Sequence, residues 1–512
     1  MSTRETEFLL PEALDLGSVA DSLGPRFALA AESRGEFQQT FFDTFDGRLH
    51  DHGQTLVHQA GRLALVNGDG HSEIASDEWA RSREKLLVAD LPRGLLRTKL
   101  ASVVDVRALM QLVRIRGRRR IYRVTDDQGK TVVRLVLEEP KLAGDGGALQ
   151  PRVRLVGVRG YDRDLERVAR LITKRLRLPI AEVTVQDEAV TRTGGTPGGC
   201  AWKGSVELRR GERADRAAAQ LLRRQLLVIE SNLPGAIADV DSEFLHDLRV
   251  GVRRTRSLLR ELAAVFAPGP LEHFRDEFRW LQQVTGPCRD LDVYLLDFDD
   301  FRASLAESRA HDLDPLRGLL KRRRSLERRR LLRALRSERT TQLLADWAAF
   351  LDRLDAQTGP TGPAASLPID ELAAGRIGLV YRRMVKLGRR IDDDTPPEAL
   401  HDLRKKGKEL RYLLEFFACL YPDQVVAPAV RSLKSLQDTL GRFQDRQVQA
   451  LLINSLGDDV RALDDGAAAL MAMGQLIERL EDQEAEARAE FADRFSHFAS
   501  RRQRAMMQET FG

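Results

Sequence analysis

The stretch HDLRVGVRRTRSLL at residues 246–259 returns as HDLRKKGKELRYLL at residues 401–414, an offset of 155 residues from position 246 to position 401. The same offset, without a gap, aligns LQQVTGPCRDLDV (281–293) with LQDTLGRFQDRQV (436–448). An unbroken register of this length indicates an internal duplication. Two copies of one helical unit are expected to pack about a pseudo-two-fold axis, one bundle against the other.

Each copy carries a ridge of basic side chains along one helix. The shared positions i, i+3, i+7 and i+10 form a stripe roughly 80° wide at about 100° per residue. They are His246, Arg249, Arg253 and Arg256 in the first copy, and His401, Arg404, Lys408 and Arg411 in the second. The apolar partners Leu248, Val252, Leu259, Leu403, Leu410 and Leu414 lie on other faces and are expected to pack inward. Because like charges three or four residues apart repel, the repeated ridge predicts a polyanionic partner.

Other basic stretches accompany the ridge, and they have a simpler interpretation. KRRRSLERRRLLRALR (321–336) and YRRMVKLGRR (381–390) are dense in Arg. A charge run is most often a solvated helix face, and Asp290, Asp292 and Asp445 could absorb charge by internal pairing. The two ridge histidines could simply cap or pack near a helix start. Both interpretations stay open at the level of sequence.

The N-terminal third has the pattern of strands rather than helices. Short β-branched or alternating segments occur at 39–43, 55–59, 63–67, 113–124, 131–138 and 152–158, and a helix is predicted at 162–178. After residue 205, apolar residues recur at i, i+3, i+4 and i+7, which predicts an all-helical region. The expected fold class is therefore α+β and multidomain, with an N-terminal, mostly antiparallel sheet or barrel followed by an all-helical, duplicated region.

Two turn-rich segments suggest the boundaries. TRTGGTPGG (191–199) and TGPTGPAASLP (358–368) lack apolar periodicity. They predict a β domain at 1–190, a linker at 191–204 and a helical domain at 205–500. Within the helical domain, the first repeat is expected at about 212–357 and the second at about 369–500.

Composition narrows the classes of protein. The chain has 512 residues, with 82 Lys and Arg against 77 Asp and Glu, and no run of eighteen apolar residues or signal-like start. Cys200, Cys288 and Cys419 are scattered and lack zinc spacing, which favours a reducing cytoplasm. His50 and His52 form a pair of a kind common on surfaces. We therefore expect a cytoplasmic protein without a metal site.

The duplicated motif resembles the CHAD family, the conserved histidine α-helical domain. H-D-L-R-x-x-x-R-x-x-R at 246–256, its second copy at 401–411 and the L-Q-x-x-x-G segments carry the resemblance, which covers roughly residues 205–500. It implies two pseudo-symmetric four-helix bundles with a basic groove that binds inorganic polyphosphate. Arg forks suit such a chain of phosphates.

The N-terminal third resembles the CYTH family of triphosphate tunnel proteins. E-T-E-F-L-L (5–10), FFDTFDGRL (41–49) and the basic strands from Arg114 carry this resemblance. Family members hold a triphosphate and a divalent metal in an eight-stranded tunnel. Here Leu9 stands at the motif lysine, His58 stands where a guanidinium would bind phosphate, and Arg152 and Arg154 replace carboxylates. Arg114, Arg116, Arg134 and Glu138 could preserve a fragment of the site. We expect a degenerate, inactive tunnel.

The sequence thus predicts a polyphosphate-binding protein that associates with polyphosphate granules. The expected phosphate ligands are His246, Arg249, Arg253, Arg256, Arg279, Lys321, Arg324, Arg382, Lys386, His401, Arg404, Lys408, Arg411 and Lys434. The alternative is an inorganic triphosphatase that uses the tunnel with a divalent metal; otherwise no cofactor is expected. A nucleic acid is disfavoured as partner because aromatic residues, which grip single strands by stacking, make up only 6% of the chain. No membrane partner is expected, and the oligomeric state stays open.

Overall fold

The computed structural model of the chain describes residues 5–11, 16–25, 27–68, 70, 72–80, 84–144, 146–199, 204, 206–356, 359, 362–392 and 394–512. The chain divides into two compact units, Met1–Lys203 and Gly204–Gly512. The first contains a curled antiparallel sheet, a half-barrel, and the second is helical. This confirms the predicted fold class.

The first unit is built on a nine-stranded antiparallel sheet. Its path runs β1-β9-β8-β7-β2-β3-β4-β5, with β6 paired to β7. The strands are β1 (Glu5–Leu9), β2 (Ala28–Thr44), β3 (Gln54–Gln59), β4 (Arg62–Asn67), β5 (Glu73–Glu78), β6 (Lys85–Leu86), β7 (Leu109–Thr125), β8 (Thr131–Leu142) and β9 (Arg152–Gly157). All six predicted strands are present, most of them longer than the pattern indicated. The terminal strand β1 places the E-T-E-F motif directly beside β9.

Short helices complete this unit. They are α1 (Leu16–Leu23), α2 (Arg48–Asp51), α3 (Leu95–Val104), α4 (Asp162–Leu171) and α5 (Val185–Arg192). The helix predicted at 162–178 is α4 followed by a π-helical turn to Leu176, and Arg177 ends it in the left-handed conformation (φ 53°). Apolar residues of β8 and β9, among them Leu135 and Leu155, pack against Leu165 and Val168 of α4. This cluster buries one face of the sheet, which leaves the other face to line a cavity.

The second unit consists of fourteen helices in the part of the chain that the structure describes. They are α6 (Ala214–Ala238), α7 (Ser242–Glu261), α8 (Pro268–Val284), α9 (Gly286–Leu296), α10 (Phe298–Ala303), α11 (Glu307–Ala310), α12 (Asp314–Leu335), α13 (Glu338–Ala356), α14 (Ile369–Gly388), α15 (Pro397–Phe416), α16 (Asp423–Ser455), α17 (Gly457–Arg461), α18 (Gly466–Phe498) and α19 (Arg501–Phe511). The turn-rich segment at 191–199 is described and α5 extends into it, whereas the predicted linker at 191–204 and the segment at 358–368 lie partly outside the described residues.

The duplication is visible in the helix boundaries. At the offset of 155 residues, α6 begins at the counterpart of the first residue of α14, and α7 matches α15 at both ends. The starts of α8 and α16 correspond in the same way. The six apolar partners of the ridge, Leu248, Val252, Leu259, Leu403, Leu410 and Leu414, are all buried, as the sequence predicted.

The two repeats also share hydrophobic core. Leu291 and Leu316 of the first repeat pack in one cluster with Ile453 and Leu476 of the second. The ridge helices α7 and α15 are therefore held on a joint scaffold, and their relative positions are fixed by packing of both repeats.

Candidate functional site

The helices α7 and α15 face each other across the pseudo-symmetric interface. Arg254 donates to Glu415 at 2.5 Å, and the guanidinium of Arg260 lies 3.6 Å from the carboxylate of Glu409. These two pairs are counterparts, because positions 254 and 409 correspond at the repeat offset, as do positions 260 and 415. The first repeat has Arg at both positions and the second has Glu at both. Each ridge helix therefore complements its partner and would repel a second copy of itself.

A basic groove lies along this junction. It has a volume of about 450 Å³, and seven cationic side chains line it against a single carboxylate among the described residues. The cationic residues are Arg253, Arg256 and Arg260 from α7, Arg275 and Arg279 from α8, and Lys405 and Lys408 from α15. Glu409 is the acid, and Ser257 and Tyr412 complete the lining. All of these side chains belong to the helices α7, α8 and α15, which gives the groove rigid walls.

Four groove cations have no carboxylate within ion-pair distance in the described part of the chain. They are Arg253, Arg256, Arg275 and Lys408. Arg253 donates from Nε to the Tyr412 hydroxyl at 2.6 Å, and Arg275 donates to the carbonyl of Leu259 at 3.0 Å. These neutral acceptors orient the guanidinium groups without cancelling their charge.

Burial, together with the neighbouring positive charges, shifts the pKa of two groove side chains. Burial, reinforced by Arg404 and Arg253, lowers the pKa of Lys408 to about 8. Burial likewise lowers the pKa of Arg256, and the nearby Arg279 and Arg260 add to the effect. The positive potential of the groove disfavours the charged forms of these two side chains, and an anionic ligand would relieve it.

Of the other three groove cations, Arg260 pairs with the buried Glu261 at 2.7 Å, whereas Arg279 and Lys405 are compensated only by exposed acids. Arg279 pairs with Asp276 at 2.6 Å and Lys405 with Asp402 at 3.2 Å, with all four side chains exposed by more than half. Exposed pairs of this kind contribute little and exchange readily with a competing anion. They can therefore extend the groove toward a long ligand.

Arg249 and Arg404 do not line the groove. Arg249 donates at 2.9 Å to both the carbonyl of Gln282 and the hydroxyl of Thr285, at the C-terminus of α8. Arg404 donates in the second repeat to Gln444 and to Asp445, at 3.0 and 2.9 Å. These arginines fasten each ridge helix to the next helix and lie outside the groove lining, and their role as central phosphate ligands stays a prediction.

The repeated glycine of the L-Q-x-x-x-G segments lies beside the same arginine in each repeat. A Cβ at Gly286 would lie 3.4 Å from the Arg249 guanidinium, and one at Gly441 would lie 3.5 Å from that of Arg404. Both distances are ordinary van der Waals contacts, so the arginine lies against the glycine without requiring it. This part of the duplicated motif positions the ridge and does not contact the groove.

The other ridge positions are divided in the same way. Arg411 donates to Glu415 at 2.6 Å and lies outside the groove lining, whereas its counterpart Arg256 lines it. His246 and His401 are half-buried and do not line the groove either. The groove is therefore asymmetric: the first repeat supplies five cations and the second supplies two.

The phosphate ligands predicted on helices other than the two ridge helices do not lie together. Lys321 and Lys434 are exposed on α12 and α16 and do not line the groove. Arg324 donates to Asp239 at 2.7 Å and to Asp292 at 2.5 Å. The hydrogen bond to Asp239 raises the pKa of Arg324, and the hydrogen bond to Asp292 and the charges of both carboxylates add to the effect. Arg324 thus belongs to the internal Arg–Asp pairing that the sequence left open. Arg382 and Lys386 lie in a separate cleft described below.

Sequence reasoning missed six residues of the groove lining: Ser257, Arg260, Arg275, Lys405, Glu409 and Tyr412. At each of these positions the other repeat has a different residue, so a comparison of the two repeats does not identify them. Arg260 and Arg275 lie four residues from Arg256 and Arg279 on their helices. The i, i+4 spacing from the predicted ligands could have identified them.

The half-barrel encloses a second charged cavity, of about 370 Å³. Glu7, Glu138, Arg119 and Arg154 line it, with Gln39 and Gln59 among the neutral groups. Its charges are paired within the sheet. Arg154 lies 3.0 Å from Glu5 and 3.8 Å from Glu138, and Arg119 lies 2.5 Å from Glu138.

The pair of acids at the start of β1 is neutralised by the arginines of β9. Register places Glu7 opposite Arg154, and Arg152 binds Glu7 and Glu188 at 2.8 Å each while almost wholly buried. Burial still raises the pKa of Glu7 despite Arg152. Carboxylates already bonded to guanidinium groups do not fit a divalent metal, which needs their lone pairs. We derive no metal-dependent step here.

The structure corrects the predicted fragment of a phosphate site in the half-barrel. Of its four residues only Glu138 lines the cavity. Arg134 is exposed and pairs with Glu32, Arg116 is exposed, and Arg114 donates to Gln111. His58 is bonded to the carbonyl of Trp79 and does not line the cavity either, because its neighbours Val57 and Gln59 alternate with it and face inward.

Two searches of the described residues gave no candidate. No group of three or more His, Cys, Asp and Glu side chains in these ranges could hold a metal ion. No described helix is both long enough and apolar enough to cross a membrane.

Comparisons with known proteins identify the helical unit. Residues 220–454, which lie within the helical unit, match the sequence model of the CHAD domain family. The match includes α7, α8 and α15, the helices that build the groove.

Two curated relatives are proteins of Mycobacterium tuberculosis, from the strains CDC 1551 / Oshkosh and ATCC 25618 / H37Rv, both named as uncharacterized. Each is 33% identical over 235 residues, which is 42% of this chain and 42% of the relative. The chain thus matches less than half the length of these relatives.

Similar solved structures include the CHAD domain from the plant Ricinus communis and PptA from Streptomyces chartreusis. The plant domain is 26% identical with a TM-score of 0.48, over 57% of this chain and 94% of that chain. PptA is 18% identical with a TM-score of 0.45, over 56% of this chain and 100% of that chain.

Proposed function

We propose that this protein binds inorganic polyphosphate in the groove between α7, α8 and α15. The observation that carries the proposal is the set of four groove cations without a carboxylate partner in the described structure: Arg253, Arg256, Arg275 and Lys408. Uncompensated cations held on rigid helices are costly in the absence of a ligand, and successive phosphates compensate them with charge-assisted hydrogen bonds. The CHAD domain supports the same ligand, because the family resemblance implies polyphosphate binding.

The ligand contacts follow from the groove. Arg253 and Lys408 lie at corresponding ridge positions and form the centre, and Arg256 and Arg275 extend it on the first repeat. Arg279 and Lys405 receive the following phosphates by exchanging their surface partners Asp276 and Asp402. In this arrangement Arg249 and Arg404 are positioning residues. On this basis we further propose that the protein associates with polyphosphate granules in the cytoplasm.

Polyphosphate fits the groove better than a single-stranded nucleic acid. Tyr412 is the only aromatic residue in the described lining, and it is nearly buried and engaged by Arg253. Single-strand binding normally gains much of its affinity from bases stacked on exposed aromatic rings. Polyphosphate needs no such platform.

The half-barrel supports a triphosphatase less well. We propose that it is a degenerate relative of the triphosphate tunnels, in which Arg152 and Arg154 neutralise the acids that would hold metal. Its cavity then serves the stability of the unit.

The test is the affinity of the full chain for long-chain polyphosphate over a series of salt concentrations. Counterion release by four to seven groove cations predicts a slope of log K against log salt of about −3 to −5. The variant Arg253→Glu/Lys408→Glu should bind at least about a hundredfold more weakly, since two cations become repulsive.

Arg163→Glu/Lys174→Glu is the matched control, because it makes the same charge change on the exposed basic surface of the first unit. It should retain near wild-type affinity. Equal losses in both variants would reduce the binding to a general effect of net charge and overturn the groove assignment. Single-stranded RNA that competes equally with polyphosphate at matched salt would overturn the choice of ligand.

A further inference from the structure

A second cationic cleft lies between α14 and α19. It has a volume of about 580 Å³, and its rim consists of Arg382, Lys386, Arg389, Arg390 and Arg504. The floor is apolar and is formed by Tyr381, Val385 and Met507. No acidic side chain is found in the described lining, and none of the five cations has a carboxylate within ion-pair distance in the described ranges.

This cleft is separate from the groove. A Cβ at Gly407 of α15 would lie 3.3 Å from the methyl group of Met384, so the Met384 side of α14 faces α15. Arg382 and Lys386 are each two residues from Met384, which places them about 160° around the helix from it. They therefore point away from α15 and its groove lysines, and the two linings share no residue.

The fold does not require these cations. Cations in the last turn of a helix are favoured by its dipole, which accounts for Lys386 and for Arg389 at the C-cap of α14. In α19 the cations lie at the other end of the dipole, because the helix begins at Arg501 and carries Arg502 and Arg504 in its first turn. Cations at that positive end cost stability, and an anion there would offset the cost.

The first repeat shows what the same position looks like without the cleft. At the repeat offset, Arg382, Lys386 and Arg389 correspond to Leu227, Ser231 and Pro234, and Arg504 corresponds to Ala349. In that repeat α6 is instead fastened to α13 by Arg223, which pairs with Asp352 at 2.7 Å and Asp355 at 2.8 Å. The corresponding helix contact of the first repeat thus forms with charges that are paired internally. Packing alone therefore does not explain the cationic rim of the second repeat.

The combination of floor and rim defines the class of ligand. A cavity of this size fits a small organic molecule, and an apolar floor with a few polar groups is the usual lining of such a site. Bare polyphosphate would use only the rim. A nucleoside triphosphate uses both, because its phosphates meet the cations and its base covers apolar surface.

We propose that the cleft between α14 and α19 binds a small organic polyphosphate of the nucleoside triphosphate type. Arg382, Lys386, Arg389 and Arg504 hold the phosphates, and Val385 and Met507 contact the base. This site is independent of polyphosphate binding in the groove.

The experiment compares ATP and inorganic tripolyphosphate as probes in magnesium-free buffer. The full-length variant Arg253→Glu/Lys408→Glu is used first, because it disables the groove. ATP should bind to it at least about tenfold more tightly than tripolyphosphate, since only ATP uses the floor. Adding Arg382→Glu/Lys386→Glu should weaken ATP binding by about thirtyfold or more.

The reciprocal measurement separates the two sites. Arg382→Glu/Lys386→Glu in an otherwise wild-type chain should change the affinity for long-chain polyphosphate by less than about threefold. Both side chains are exposed, and the pair Arg382→Gln/Lys386→Gln gives the same comparison if the charge reversal affects folding. Equal affinity for ATP and tripolyphosphate, or ATP binding that survives the cleft variants, would overturn the proposal. Loss of polyphosphate binding by the groove variant alone would leave it standing.

Discussion

The half-barrel cavity and the helical groove are both built on arginine, yet they differ in what their arginines face. In the half-barrel, Arg119, Arg152 and Arg154 each meet a glutamate within 3.0 Å. In the groove, Arg253 and Arg256 meet no carboxylate in the described structure. The number of cations in a site therefore says little about its ligand. The deciding quantity is how much of the positive charge remains uncompensated after folding.

The largest effect on this comparison is expected when the groove receives an additional carboxylate. Arg256→Glu should lower the affinity for long-chain polyphosphate by about a hundredfold, because it both removes a phosphate contact and neutralises a neighbouring cation. Arg256→Gln removes only the contact and should cost about tenfold. Titration of each full-length variant with polyphosphate at fixed salt measures both. Identical losses would mean that compensation within the groove does not matter.

The converse change is made in the half-barrel. Arg152→Gln leaves Glu7 and Glu188 without their common partner, and breaking a buried pair in this way should lower the free energy of unfolding of the first unit by about 3–5 kcal/mol. Chemical denaturation followed in the wild type and the variant measures the loss. The polyphosphate affinity of the folded variant should stay within about threefold of wild type. A large loss of affinity would assign the half-barrel a role in binding that its paired charges do not support.

A third prediction concerns pH. Lys408 has a pKa lowered to about 8, so in the free protein it loses its charge as the pH rises through 8. Bound phosphate favours the charged form, so polyphosphate affinity should fall by up to about tenfold between pH 7 and pH 9, with proton uptake on binding near pH 8. Calorimetry in buffers of different ionisation enthalpy measures the uptake. Lys408→Arg should bind without this uptake, and an unchanged uptake in that variant would assign the proton to another group.

The smallest effect is expected at Arg324. This residue is a cation of the basic run at 321–336, but Asp239 and Asp292 already bind it. Arg324→Gln should therefore change polyphosphate affinity by less than about threefold, while lowering the temperature of unfolding. Arg275→Gln, which removes a groove cation without a carboxylate partner, is the comparison and should cost about tenfold. If the two variants lost affinity equally, pairing would not distinguish a structural cation from a binding one.

The sequence alone determined the architecture of the helical unit. A fixed offset pairs the two motifs, and the apolar positions of α7 and α15 are buried as their spacing predicts, because hydrophobic periodicity is a local property that burial enforces. By the same reasoning it identified six of the nine described strands of the half-barrel.

Only the tertiary structure decided which ridge residues line the groove. Arg249 and Arg404 share a helix face with Arg253 and Lys408, but the next helix lies close enough to take their hydrogen bonds. Arg411 is bonded to Glu415, which also takes the opposing Arg254, while Arg256 meets no such acid in the described structure. The physical reason is that helix periodicity fixes the direction of a side chain, whereas the compensation of its charge depends on carboxylates that arrive from distant parts of the chain.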